Sequence, residues 1–169
     1  FNGGTGSLAF VAMSLNAGTF TSTSGTLTVT GTPTFAASDL FIHNNGTFVL
    51  HDNSVNITFS PAGNTFYNIT FINQNSQTTT TIASDFTVAG TLAASRPGVV
   101  GNSYSILPSG ARTITVLGNF SIPSSSTNGF TFGNANLTID LAGATSSMSL
   151  AGAGATLSSP IRFSGSGAQ

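Results

Sequence analysis

The chain contains no lysine, no glutamate, no cysteine and no tryptophan. Each absence closes off some chemistry. Without cysteine there is no disulfide scaffold and no thiolate metal site. Without lysine there is no phosphate-cradling P-loop. Without glutamate, carboxylate chemistry falls to Asp39, Asp52, Asp85 and Asp140, which are far apart in sequence, and no G-x-S-x-G nucleophile elbow occurs. Only 4% of residues are charged, against roughly 25% in an average globular chain. The three basic side chains, Arg96, Arg112 and Arg162, are too few for the footprint that neutralises phosphates, so nucleic acid is not an expected partner. The longest apolar run, LAFVAM from Leu8 to Met13, falls far short of the roughly 20 residues of a membrane-spanning helix. No signal peptide is visible. A start at Phe1 rather than Met reads as a processed mature form or an excised segment.

What is present is equally one-sided. There are 14 Phe and 20 Gly, with abundant Ser, Thr and Asn to keep the chain in water. A formal net charge of −1 removes the repulsion that keeps proteins apart, so association is favoured. Helix signals are poor, because Gly, β-branched residues and Asn recur throughout and no long stretch repeats at helical spacing. Strand signals are strong: short alternating runs lie between Gly, Ser, Asn and Pro clusters.

These runs repeat. GTLTVT at 25, GTFVLH at 46, YNITFI at 67, GTLAAS at 90, RTITVL at 112 and ANLTID at 135 align, with ATLSSP at 155 as a weaker copy. A period of about 22 residues predicts an all-β parallel β-solenoid (β-helix) of about eight turns, each strand pairing with its copy one turn away. An antiparallel β-sandwich or jelly roll is the alternative, since it too gives short alternating strands, but it needs no fixed phase. On the solenoid reading, Leu27, Phe48, Ile69, Leu92, Ile114 and Leu137 point inward. Thr26, Thr47, Asn68, Thr91, Thr113 and Asn136 form an outward column. Identical charges stacked about 4.8 Å apart would repel, whereas Thr and Asn can hydrogen-bond up a stack. Asn45-Gly46 and Asn128-Gly129 mark corners needing positive φ. The whole chain, 1–169, reads as a single β-rich domain. Residues 1–18 read as a candidate N-terminal cap or donated strand, and 164–169 as a flexible tail.

The run GTFVLHDNSVNITFSPAGNTFYNITFINQ, followed by TTTTIASDFTVAGTLAAS, resembles bacterial β-strand-repeat surface proteins, adhesin-like chains of repeated strands. The resemblance covers roughly residues 19 to 141 and carries no catalytic residues. It implies a cell-surface or extracellular β-rich protein with an adhesive or scaffolding role.

Few residues suggest chemistry. Asp39, His43, His51 and Asp52 form the densest group of metal-ligand types, but His51 is expected to face solvent and His43 adjoins a turn, so no metal or other cofactor is expected. Five N-x-S/T sequons lie at Asn45, Asn56, Asn68, Asn119 and Asn136, about the number that this composition gives by chance. Asn68 and Asn136 are the expected best-exposed acceptors. The aromatics are mostly Phe, which suits core stacking better than sugar platforms of Trp and Tyr. In the uncharged N-terminal segment, Leu8, Phe10, Val11, Met13 and Leu15 are candidate assembly residues. The expected function is a non-enzymatic extracellular structural protein that associates with itself into a surface filament. The alternative is an adhesin stalk fragment or carbohydrate-binding module of a longer protein, touching glycans or cell surfaces.

Overall fold

A computed structural model describes residues 1–38, 40–52, 55–73, 77–95, 103–122, 129–151 and 154–166. Among these the chain is all β and winds as a parallel β-solenoid. The first turn holds β1 (Leu8–Phe10), β2 (Ser14–Leu15) and β3 (Phe20–Thr21), and the second β4 (Thr26–Val29), β5 (Thr34–Phe35) and β6 (Phe41–Ile42). The third holds β7 (Thr47–Asp52), β8 (Ile57–Phe59) and β9 (Thr65–Phe66), and the fourth β10 (Asn68–Asn73), β11 (Thr78–Ile82) and β12 (Phe86–Val88). The fifth holds β13 (Thr91–Ser95), β14 (Tyr104–Pro108) and β15 (Arg112–Val116), and the sixth β16 (Asn119–Ile122), β17 (Phe130–Phe132) and β18 (Leu137–Leu141). The last holds β19 (Ser147–Leu150), β20 (Ala155–Leu157) and β21 (Ile161–Phe163).

Each turn therefore contributes one strand to each of three faces. The first face is a seven-stranded sheet, β1-β4-β7-β10-β13-β16-β19. The second is β8-β11-β14-β17-β20, continued by the β2-β5 pair through a bridge between Thr34 and Ser60. The third is β9-β12-β15-β18-β21, with the β3-β6 pair at its start. At about 4.8 Å per step the rod is roughly 29 Å long, shorter than eight turns would give.

The solenoid reading holds, but its phase needs correction. RTITVL is β15 and ANLTID is β18, both on the third face, and ATLSSP is β20 on the second. The first-face partner of Leu92 is Phe120, not Ile114. The step along that face is 19 residues from Leu8 to Leu27 but 28 from Leu92 to Phe120. Every face obeys the same in–out alternation, so a strand from one face imitates a repeat of another. The outward column on the first face is Thr26, Thr47, Asn68, Thr91, Asn119 and Ser147, with Thr113 paired instead to Thr138.

The interior is built from aromatics. Phe66 lies within 4.9 to 6.0 Å, centroid to centroid, of Phe35, Phe41, Phe48, Phe59 and Phe86. Phe41 is buried in this core, and its neighbour Ile42 faces out. The corner between the third and first faces is tight: one residue joins β9 to β10, and two join β12 to β13 and β15 to β16. Backbone bonds run there from turn to turn, Thr47 N–H to Gly25 O at 2.9 Å and Asn119 N–H to Gly90 O at 3.0 Å. A Cβ on Gly46 would lie 2.1 Å from Thr23 O, and one on Gly118 2.2 Å from Gly90 O. Gly46 is thus required by close approach. The positive φ expected of the Asn45-Gly46 pair falls on Asn44 (47°) and Asn45 (57°). At Gly129 φ is 63°, as expected, while Asn128 lies outside the described residues.

Candidate functional site

Among the described residues no group of three metal-ligand side chains gathers, and no pocket opens. Three of the four suspected ligands lie among the described residues. Asp39 lies outside the described residues. His43 sits at a corner, its Nδ1 accepting the Asn45 N–H at 3.0 Å and its ring 5.6 Å from Tyr67, and partial burial lowers its pKa. His51 and Asp52 are neighbours in β7, so they point to opposite sides of the sheet.

Asp52 points inward and is 1% exposed. Its Oδ2 accepts from Asn73 Nδ2 at 3.1 Å and from the Thr78 hydroxyl, and its Oδ1 accepts from Val55 N–H at 3.3 Å. These three donors satisfy a carboxylate that lies away from water. Beside it, Thr80 Oγ1 and the Tyr104 hydroxyl lie 2.9 Å apart. Burial pushes the Tyr104 phenol well above its usual range; the Thr80 bond opposes this and the Asp52 charge adds to it. The cluster has the form of an internal brace across the third to fifth turns. The alternation of β7 and β10 could have found it in the sequence, since Asp52 and Asn73 both fall on inward positions.

The sequons fall in varied places. Asn45, Asn56, Asn119 and Asn136 are exposed and Asn68 is half-buried. The Asn68 side chain is engaged in the stack: Oδ1 accepts the Thr91 N–H at 2.8 Å and Nδ2 donates to Thr47 Oγ1 at 3.4 Å. Asn119 Oδ1 accepts the Ser147 hydroxyl at 2.8 Å, and Asn56 Oδ1 the Thr79 N–H at 2.9 Å. Asn136 lies just before β18, outside the outward column in which it was expected.

The clearest unsatisfied surfaces are the two ends. Met148 and Leu150 lie in register with Phe120 and Ile122, both fully buried, and are themselves 43% and 48% exposed, the described residues holding no strand beyond β19 on that face. Phe163, in register with buried Leu141, is 52% exposed. At the other end Leu8, Phe10 and Leu15 are half-buried and Val11 is 81% exposed, while Met13 is buried in the core. There Phe1 stacks on Phe20 at 4.9 Å, and Asn2 bridges to Thr21. At both ends, strand edges lie over apolar columns. A scan against protein-family models, a search of curated proteins and a search of solved structures each found no match.

Proposed function

We propose that this chain is a non-enzymatic, extracellular structural protein that associates with itself end to end into a surface filament. The observation that carries the reading is the parallel stack of turns with its uncharged outward column of Thr26, Thr47, Asn68, Thr91, Asn119 and Ser147. Within it Met148 and Leu150 of β19 continue the buried columns of Phe120 and Ile122. A further parallel turn would bury them and satisfy the edges. End-to-end pairing joins unlike surfaces, so it propagates rather than closes. The near-absence of charge supports the reading, since stacked turns meet no repulsion. The outer hydroxyls and amides serve as ladders between turns, which suits a load-bearing rod.

Electron microscopy and sedimentation of the 169-residue chain test this. Filaments with a regular axial repeat are expected, and Leu150→Asp, which puts a charge on the open column, should abolish them. Dispersed particles at all concentrations would overturn the reading. They would favour a stalk section of a longer adhesin, in which the same edges meet further turns of one polypeptide.

A further inference from the structure

Much of the outer surface is hydroxyl and amide, but one line along the rod is apolar. It follows the corner between the third and first faces. Ile42, Tyr67 and Leu117 stand out there, 47%, 37% and 44% exposed. Ala89 lies between the last two: its N–H donates to Phe66 O at 2.8 Å, and Gly90 N–H donates to Tyr67 O at 2.7 Å. Val88 is in register with both Phe66 and Val116, so Tyr67, Ala89 and Leu117 succeed one another at one residue per turn. That step is about 4.8 Å. Ile42 extends the line by a turn, because its neighbour Phe41 packs at 4.9 Å against Phe66. The His43 ring, 5.6 Å from Tyr67, widens the line at that point.

Hydroxyl and amide groups border this ridge on both sides. On the third face Thr65, Thr87 and Thr115 stand in register, each two residues before a ridge residue and on the same side of the sheet. On the first face Thr47 pairs with Asn68, and Asn68 Oδ1 accepts the Thr91 N–H. Hydroxyls both donate and accept. No Asp or Arg stands in the ridge or in either border from the third turn to the fifth. A matching ligand is therefore neutral, with apolar ring faces and hydroxyls along its edges.

We propose that this corner binds a neutral linear polysaccharide laid along the rod, its rings seated on Tyr67, Ala89 and Leu117 and its hydroxyls bonded to the bordering Thr columns. The C–H bonds of a pyranose ring meet the negative face of an aromatic ring. Of the two tyrosines, Tyr104 is buried and Tyr67 is the one that meets solvent. An extended β-1,4-linked glucan carries its hydroxyls on both edges, with a ring repeat close to the rise of one turn. An open strip suits a chain bound along its length. A line one residue wide offers a protein partner little apolar area towards the roughly 800 Å² per side of a stable interface. The strip lies in the middle turns, so it is the same in an isolated chain, a filament or a section of a longer protein.

Depletion by phosphoric-acid-swollen cellulose and calorimetry with cellohexaose test this. The parent should bind both, and high salt should change its affinity less than twofold. Tyr67→Ala should weaken binding at least tenfold, Tyr67→Phe no more than threefold, and Leu117→Ser about threefold. Both positions are at the surface, and thermal melts check that the variants fold. Tyr104→Phe, in the core, should bind as the parent does. The proposal fails if the folded parent binds neither probe, if Tyr67→Ala binds as tightly as the parent, or if polygalacturonate is preferred and is released by salt. A change of sedimentation in Tyr67→Ala, with no cellulose binding by the parent, would assign the ridge to contact between copies instead.

Discussion

Asn73 donates its amide to Asp52 at 3.1 Å across adjacent turns, and both side chains lie inside the solenoid, 0% and 1% exposed. Asp52→Ala would leave the Asn73 amide and the Thr78 hydroxyl without their acceptor in a site closed to water. A loss of about 2–4 kcal/mol is expected, because two buried donors each lose their acceptor. Urea denaturation measures it. A change under 1 kcal/mol would show that water reaches the cluster.

The tight corner makes a sharper contrast. Gly118→Ala places a methyl group against the Gly90 carbonyl, which is backbone and cannot rotate away. It should cost about 2–4 kcal/mol, a strain-sized effect. Gly110→Ala meets nothing within 4 Å and should be near neutral. Thermal melts of the two variants side by side decide this.

Phe66 is completely buried and is ringed by other aromatics. Phe66→Ala should cost about 3–5 kcal/mol. Phe66→Leu should recover most of that, since the site asks for volume more than for a particular ring geometry. Chemical denaturation of both variants tests the order.

Stability should be flat over a wide pH range and fall at its ends. The Arg162 bond holds the Asp140 carboxyl below its usual range, so its contribution is complete above about pH 4 and is lost as pH falls through the lowered folded value. Tyr104 is raised, so the unfolded chain ionises first and stability drops as pH rises above about 10. His43 is lowered, which gives a shallow fall on acidification below about 6.5. Melts across pH in Asp140→Asn, Tyr104→Phe and His43→Gln should remove the acid limb, the alkaline limb and the shallow step respectively. A strong dependence between pH 7 and 9 would contradict this account.

The fold was legible because parallel stacking imposes one in–out rhythm on every turn, and Leu27, Phe48, Ile69 and Leu92 keep it in phase. The assignment of later strands to faces was not. Eight residues separate β13 from β14 and seven separate β16 from β17, so the spacing of strands along the sequence changes while each strand looks the same. The rhythm identifies Arg112 to Val116 as a strand but carries no mark of its face. The open columns at Met148 and Leu150 were also invisible, because their residue types match those of a buried position. The inward places of Asp52 and Asn73 could be read from alternation, but their partnership with Thr78 required knowing that the first and second faces meet beside them.

The bonds between turns run along the axis of the rod, and this sets how it would answer a pull from its two ends. Each turn hangs on its neighbour by one ladder per face, so force would open the ladders in sequence rather than shear them together. A turn of 19 to 28 residues, the steps from Leu8 to Leu27 and from Leu92 to Phe120, would release about 65–95 Å of chain as it peeled away. The rod would lengthen in steps and hold again after each one, spending energy turn by turn before the next gave way.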